Sequence, residues 1–267
     1  MPTRIEPLFA ALKAQRRAAL IAYVTAGDPT PERTPQIVAA LERGGVDLIE
    51  LGVPFSDPMA DGPVIQRASE RALENEFGLD EIFQLIDQSR RTIDTPIILF
   101  SYFNPLLQYG LKQLCQEAKR VGLDGVLVTD LTPEEATDFS AELKSHDLDM
   151  IFLIAPTSND VRLRLVAKHA SGFIYAVSRA GVTGARESVS VEAEKLVRRM
   201  RAFSDLPIVV GFGISSSSQV AEVEQYADGV VVGSAIVAEI ERSKGRDDIV
   251  SHIGEFTRSL MPELKYK

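Results

Sequence analysis

The sequence predicts an α/β fold in which eight parallel strands, each followed by helix, close into a (β/α)8 TIM barrel. Short apolar segments alternate with helical patterns about eight times along the chain of 267 residues, as in folds built from strand–helix–strand units. The strand segments are apolar on both faces, which is typical of a parallel sheet covered by helices. Eight such units in roughly 250 residues fit a closed barrel. A doubly wound open sheet is the alternative, and it is disfavoured because no G-x-G-x-x-G motif follows the first strand.

The individual elements follow from apolar periodicity and from the glycines and prolines that bound each segment. Gly44-Gly45 ends the second helical pattern, and Thr132-Pro133 begins a later one. Strands are predicted at 20–25, 47–51, 96–100, 125–128, 149–154, 173–177, 207–210 and 229–232. Helices are predicted at 6–15, 35–43, 64–74, 79–91, 111–121, 134–145, 159–169, 191–203, 216–226 and 234–241. They include extra helices at the N-terminus and after the second and eighth strands. No linker is evident, so we expect one domain over residues 1–267.

The composition of the chain limits which partners it can bind and in which cellular compartment it is expected. The formal net charge of −9 argues against a nucleic acid or an anionic membrane as partner. Cys115 is the single cysteine, which excludes an intramolecular disulfide. The chain has no signal-peptide core and no apolar run near the ~18 residues of a membrane helix. We therefore expect a cytoplasmic protein without membrane or nucleic-acid partners. A phosphorylated small molecule remains compatible with this negative charge as a substrate, because helix N-termini bind phosphate without a basic patch.

Two carboxylates stand out in the stretch 48–66, LIELGVPFSDPMADGPVIQ. Glu50 lies near the carboxyl end of the second strand, and Asp61 lies in the proline-rich loop that follows. Active sites of barrels lie at the carboxyl ends of the strands, and two acids in different environments can take different roles in proton transfer. We expect both in a polar, solvent-reached site. The alternative is structural, with Glu50 in an ion pair and Asp61 capping the next helix.

Glycine-rich loops follow the last three predicted strands. GFGIS at 211–215 and GSAI at 233–236 both place glycines and a hydroxyl residue before a helix, which is the pattern of a barrel phosphate site. The alternative is that they form tight turns and helix caps. The long loop at 178–187 has the length and glycines typical of a lid, or it is a passive surface loop. Gly184 offers a further N–H to a phosphate.

Other common catalytic groups are missing from the predicted strands. No lysine falls in one, which argues against a Schiff-base lysine at a strand end. All three histidines fall in helical segments, and no His/Cys cluster indicates a metal site. Catalysis is therefore expected to depend on carboxylates, with Tyr23, Tyr102 and Tyr175 as further candidates.

Six segments taken together resemble the tryptophan synthase alpha chain family. They are YVTAGDP (23–29), LIELGVPFSDPMADGP (48–63), IFLIAPTS (151–158), YAVSRAGVTGAR (175–186), GFGIS (211–215) and VVGSAIV (231–237). The resemblance implies a barrel lyase that cleaves indole-3-glycerol phosphate to indole and glyceraldehyde 3-phosphate. Met59 and Thr132 depart from the expected Leu and Pro, which leaves loop details open. Neither departure touches the two acids.

The resemblance also implies roles for individual residues. Glu50 and Asp61 match the catalytic acids of the family. The positions that match its substrate-binding residues are Tyr175, Thr183, Gly184, Gly213, Gly233 and Ser234. Once an indole substrate is implied, the apolar strand ends are expected to enclose its ring, with Tyr23 lining the same pocket. These strand-end residues are Phe100, Leu127 and Phe212.

A partner protein is implied by the same resemblance. Family members work with a pyridoxal-phosphate-dependent beta chain, so we expect an alpha2-beta2 tetramer and no cofactor or metal in this chain. The predicted docking surface combines the loop that carries Asp61 with the end of the third strand. Its residues are Pro54, Phe55, Asp57, Pro58 and Asn104. The alternative is that they only shape the turn.

Two other functions remain open from the sequence. One is a different phosphate-binding barrel enzyme of the same pathway, such as indole-glycerol-phosphate synthase or an isomerase. The synthase is expected to use a strand-end lysine, which is not found here. The other is a non-catalytic barrel that regulates a partner enzyme, against which the two intact acids argue.

Overall fold

The computed structural model describes residues 3–75, 77–177, 191–211 and 213–261. Its centre is a closed barrel of eight parallel strands in sequential order, which confirms the predicted fold class. The strands are β1 Ala19–Thr25, β2 Leu48–Gly52, β3 Ile97–Ser101, β4 Gly125–Val128, β5 Asp149–Ile154, β6 Ile174–Val177, β7 Ile208–Gly211 and β8 Gly229–Val232. Each lies within two residues of its predicted bounds.

Twelve helices surround the barrel within these described ranges. They are α1 Ile5–Ala14, α2 Arg33–Arg43, α3 Pro63–Leu73, α4 Leu79–Ser89, α5 Phe103–Tyr109, α6 Leu111–Arg120, α7 Thr137–Ser145, α8 Asp160–His169, α9 Val191–Met200, α10 Ser217–Val223, α11 Ser234–Arg242 and α12 Ile249–Leu260. The extra helices α1, α3 and α11 stand where the sequence predicts them. Helix α5 does not follow from the sequence pattern. It accommodates Pro105 because a proline in the first helical turn removes no hydrogen bond.

None of the helices in the part of the chain that the structure describes is long and apolar enough to cross a membrane.

The barrel closes through the pairing of β1 with β8. Ala19 pairs with Gly229 and Ala22 with Val232, while the other edge of β1 pairs with β2 from Ile21↔Leu48 onward. Gly229 is required at this seam, because a Cβ there would lie 2.8 Å from a methyl carbon of Val209. Every strand thus ends at the same rim, which brings together loops that are far apart in sequence.

Two apolar layers hold the barrel. One lies between the strands and the surrounding helices, and the other fills the barrel interior with alternate residues of the strands. Helix α1 closes the amino-terminal end, where the rings of Phe9 and Phe173 lie 5.9 Å apart. The interior is therefore a packed core, and only its carboxyl-terminal rim is left for a site.

Asp124, at the amino-terminal end of β4, anchors several elements through its carboxylate. It is 1% exposed. It accepts hydrogen bonds from Arg4 at 2.9 Å, from Arg90 at 2.8 Å and from the main-chain N–H of Ile97 at 3.0 Å. Burial lowers the pKa of Arg90 to about 10, against the opposing effect of Asp124. The carboxylate thus ties α1 and α4 to the bottom of the sheet.

We expect Asp124→Ala to lower the free energy of unfolding by about 3–5 kcal/mol, because it leaves Arg90 buried and uncompensated. Urea unfolding measures this change. Asp87→Ala is the control, since Asp87 pairs with Arg91 where both side chains are exposed, and its loss should be about 1 kcal/mol or less. Equal losses in the two variants would show that Asp124 does not anchor the fold.

Candidate active site

A cavity of about 470 Å³ opens at the carboxyl-terminal rim of the barrel. It brings Glu50 and Asp61 together with the loops that follow β7 and β8. The residues that line it are Tyr23, Glu50, Asp61, Gly62, Pro63, Val64, Ile65, Phe100, Tyr175, Gly213, Ile214, Ser215, Val231, Gly233, Ser234, Ala235 and Ala238. Acids, aromatic rings and a helix N-terminus therefore share one space.

Glu50 is buried to an extent that the sequence does not predict. It is 1% exposed, and its Oε1 atom has no hydrogen-bond partner among the described residues. Burial raises the pKa of the carboxyl group to about 8, because an unpaired charge is poorly stabilised away from water. The expectation of a solvent-reached Glu50 is wrong. The carboxyl is mainly protonated at pH 7 and can act as a proton donor.

Asp61 lies in a different environment, half-buried in the loop before α3. Burial raises its pKa and a hydrogen bond from Tyr102 lowers it, giving a pKa of about 6. Asp61 does not cap α3, because Gly62 occupies that position. The main-chain carbonyl of Asp61 accepts a hydrogen bond of 2.9 Å from the Gln66 side chain. At pH 7 this carboxyl is mainly ionised, so the two acids differ in protonation state.

Two tyrosines of the barrel each lie close to a glycine on the neighbouring strand, Tyr23 of β1 to Gly52 of β2 and Tyr175 of β6 to Gly211 of β7. A Cβ on Gly52 would lie 2.2 Å from the hydroxyl of Tyr23, and one on Gly211 would lie 1.9 Å from that of Tyr175. Both phenols have a pKa well above the ordinary value, chiefly because they are buried; Asp61 raises the pKa of Tyr23 further, and Glu50 raises the pKa of both. They therefore stay protonated. The Tyr23 ring meets Phe100 edge-on at 5.2 Å and forms an aromatic wall of the cavity.

The two glycine-rich loops differ in how their helices begin. At α10, the hydroxyl of Ser216 accepts from the main-chain N–H of Gln219, so this serine caps the helix. At α11 the N-cap is Gly233, and no side chain caps the helix. Gly233, Ser234 and Ala235, at the start of α11, line the cavity. An uncapped helix N-terminus of this kind can bind an anion.

The remaining substrate-contact predictions have three different outcomes. Phe100, Tyr23 and Tyr175 line the cavity. Leu127 is fully buried in the barrel interior and is not among the lining residues. Thr183, Gly184 and Phe212 lie outside the described residues.

The predicted docking residues lie on adjoining segments at the same rim. The main-chain N–H of Ala60 donates to the hydroxyl of Tyr102 at 2.8 Å, which joins the Asp61 loop to the segment that begins α5. The Phe55 and Tyr102 rings lie 5.2 Å apart. Pro54 is buried, Phe55 and Pro58 are half-buried, and Asp57 and Asn104 are exposed.

Sequence reasoning missed the helical part of the cavity wall. Pro63, Val64 and Ile65 of α3 line it on one side, and Ala235 and Ala238 of α11 on the other. The sequence did contain a signal for these helices, because α3 begins directly after the loop of Asp61 and α11 directly after Gly233. Which face of each helix turns toward the rim depends on packing against the barrel, and packing is not readable from the motif.

The barrel and its rim define the class of protein: a (β/α)8 enzyme with a carboxylate pair beside an anion-binding helix terminus. A family model described as tryptophan synthase alpha chain matches residues 9–262, and the chain belongs to this family. Its members catalyse the alpha reaction of tryptophan biosynthesis. The chain is thus a carbon–carbon lyase that cleaves indole-3-glycerol phosphate. The two other functions left open by the sequence, a different barrel enzyme and a non-catalytic regulator, do not hold.

Individual relatives agree with the family assignment. The tryptophan synthase alpha chain of Solibacter usitatus is 51% identical over 258 residues and covers 97% of each chain. Among solved structures, tryptophan synthase subunit alpha from Legionella pneumophila has a TM-score of 0.89 at 38% identity, with 97% of each chain covered. Tryptophan synthase of Mycobacterium tuberculosis has a TM-score of 0.89 at 37% identity, covering 98% of this chain and 100% of that one.

We expect Glu50→Gln to change how stability depends on pH. The pKa of Glu50 rises from 4.5 to about 8 on folding, so the folded state holds one more proton between these values. Its contribution to the free energy of unfolding is complete below pH 4.5 and falls by about 1.4 kcal/mol per pH unit as the pH rises toward 8. Glutamine does not titrate, so the variant gains stability relative to wild type through this window. Urea unfolding at several pH values measures the gain, and a constant difference would refute the raised pKa.

Proposed function

We propose that the chain cleaves indole-3-glycerol phosphate with Glu50 as proton donor and acceptor and Asp61 as a fixed negative charge. The observation that carries this assignment is the difference between the two carboxyls in one cavity. The pKa of Glu50 is about 8 and that of Asp61 about 6. Near pH 7, therefore, one carboxyl can give a proton while the other stays ionised, which is the division of labour expected of an acid–base pair.

The proposed reaction needs no external electron sink. Protonated Glu50 gives its proton to C3 of the indole ring, and positive charge develops at the ring nitrogen. The side-chain hydroxyl then loses its proton to Glu50 as the C–C bond breaks. The bonding electrons return to the ring, which releases indole and leaves the aldehyde of glyceraldehyde 3-phosphate. Asp61 stabilises the charge on the ring N–H, and such a contribution is worth about 10²–10⁴ in rate.

The phosphate is proposed to lie at the start of α11. Gly233 and Ser234 offer main-chain N–H groups, a hydroxyl and the positive end of a helix dipole, and Gly213 lines the same cavity. By resemblance, Thr183 and Gly184 are proposed to add contacts. The ring is proposed to lie toward the aromatic wall, with Phe212 beside it.

The proposed partner is a tryptophan synthase beta chain that carries pyridoxal phosphate, in an alpha2-beta2 tetramer. Indole is small, apolar and neutral, so a partner docked over the rim limits its loss by diffusion. Exposed apolar side chains on the docking segments support this surface. Met59 is 88% exposed and Leu107 is 50% exposed, so a partner docked here would cover apolar surface.

We also propose that residues 1–267 act as one domain in a reducing cytoplasm. The single closed barrel, which draws on strands from β1 to β8, supports one domain. The thiol of Cys115 is buried, and its pKa is raised by burial to about 12. An unreactive thiol of this kind fits a structural role in a reducing compartment.

We expect Glu50→Gln and Asp61→Asn each to lower kcat by about 10²–10⁴ while the chain stays folded. For wild type, kcat/KM should rise with pH as Asp61 ionises near 6 and fall as Glu50 loses its proton near 8. Indole release in the isolated chain measures both effects. Asp57→Asn is the control, because it removes a carboxylate from the same loop outside the cavity. Near-wild-type release of indole by Glu50→Gln would show that Glu50 is not the proton donor.

We expect Gly213→Asp to raise KM by about tenfold or more, through repulsion of the phosphate. Gly245→Asp is a matched control. Both glycines have a positive φ, 79° and 83°, and a Cβ on either would meet no heavy atom within 4 Å. Backbone strain is therefore similar in the two variants, and only position 213 faces the cavity. Gly213→Asn separates charge from size. An unchanged KM in Gly213→Asp would refute this placement of the phosphate.

We expect the beta chain to raise the rate of the alpha reaction, and Asp57→Ala to weaken that activation. The partner acts on the outer part of the loop that carries Asp61, so the isolated chain should keep its basal rate in this variant. Binding of partner and of substrate must favour each other by the same factor. Indole release with and without beta chain measures the effect. Equal activation of wild type and Asp57→Ala would exclude Asp57 from the coupling.

A further inference from the structure

A network of four charged side chains lies outside the cavity. Arg71 donates to both oxygens of Asp28, at 2.7 and 3.0 Å, and to Glu241 at 2.9 Å. Arg67 donates to both oxygens of Glu241, each at 2.7 Å. Arg67 and Arg71 are one turn apart on α3, and Glu241 is on α11. The network therefore joins two helices that begin at the cavity.

Burial makes the centre of this network rigid. The Asp28 side chain is 1% exposed and that of Arg71 12%. A bidentate pair between arginine and a carboxylate fixes direction as well as distance. Removing one partner of a buried pair leaves an uncompensated charge, which resists opening of the pair. Asp28 and Arg71 thus hold a single arrangement, whereas an exposed ion pair would sample several.

The network joins three adjacent units of the barrel. Asp28 follows β1, α3 follows β2 and α11 follows β8, and β8, β1 and β2 are neighbours in the sheet. These are the units that supply Asp61 and the start of α11. The Gln66 side chain on α3 also holds the main-chain carbonyl of Asp61 at 2.9 Å. A shift of α3 relative to α11 would therefore move Asp61 relative to Ser234.

We infer that Arg71, bridging Asp28 and Glu241, is a positioning residue that fixes the span between Asp61 and the N-terminus of α11. This inference rests on the roles proposed above for Asp61 and for the start of α11. The substrate carries its indole ring and its phosphate at opposite ends of a short carbon chain. Both ends can be engaged at once only if the two half-sites are correctly spaced, and small misplacements cost large factors in rate.

The test compares Glu241→Gln with Glu239→Gln in the full chain. Both change a carboxylate on α11 to an amide. Glu239 pairs with Arg242 and His252 and not with α3, so it is the matched control. We measure kcat and KM for indole-3-glycerol phosphate, and separately the Kd of indole and of glycerol 3-phosphate, which each occupy one half-site.

Glu241→Gln should lower kcat/KM for the whole substrate by about tenfold to hundredfold, while the Kd of each fragment stays within about twofold of wild type. Glu239→Gln should leave all these values unchanged. Arg71→Lys keeps the charge but loses the bidentate geometry, so it should show the same pattern as Glu241→Gln. A purely structural role would weaken fragment binding and substrate turnover together.

Two results would overturn the inference: an unchanged kcat/KM in Glu241→Gln, or a loss of fragment affinity in parallel with kcat/KM. Asp61→Asn separates this outcome from failure of the proposed function. If Asp61→Asn cleaves substrate normally, the assigned role of Asp61 is wrong, and the inference falls with it. If Asp61→Asn is inactive and Glu241→Gln is normal, only the positioning role is refuted.

Discussion

The hydrogen-bonded pairing of β1 with β8 is the constraint on which the rest of the structure depends. Because it closes the sheet, all strands end at one rim, and the loops after β2, β7 and β8 surround a common cavity. Glu50 and Ser234 are far apart in sequence but line the same space for this reason. In an open sheet, β1 and β8 would be opposite edges, and the acid and the helix terminus could not act on one small substrate.

Closure also sets the chemistry of Glu50. A barrel interior packed with apolar side chains buries the carboxyl at its upper end, and no described residue offers its Oε1 a hydrogen bond. The same rim holds Asp61 in a loop, where Tyr102 supplies a hydrogen bond to the ionised form. One fold thus produces a neutral acid and an anion in one cavity. Desolvation raises both pKa values, and the hydrogen bond from Tyr102 lowers that of Asp61; no nearby charge is needed to separate them.

Asp61 lies in a loop, whereas Glu50 lies within strand β2, and ion pairs connect the helices that flank the cavity. Asp61 follows a proline-rich turn, but Gln66 fastens its backbone to α3, and Arg71 fastens α3 to α11 through Glu241. Function in a barrel depends on such support, because catalytic groups must be held to within a fraction of an ångström. The outer part of the same loop remains exposed at Asp57 and Met59, where a partner can reach it.

Sequence by itself determined the order of strands and helices and the place of the acid motif. Alternation of apolar runs and the glycines and prolines between them are local signals, and they locate Glu50 at a strand end and Asp61 in a loop. The resemblance to a known family identified the substrate as indole-3-glycerol phosphate. The tertiary structure decided the burial of Glu50, the position of Leu127 inside the barrel core and the ion network of Asp28, Arg71 and Glu241. Burial and ion pairing are produced by residues from distant parts of the chain, so no local pattern encodes them.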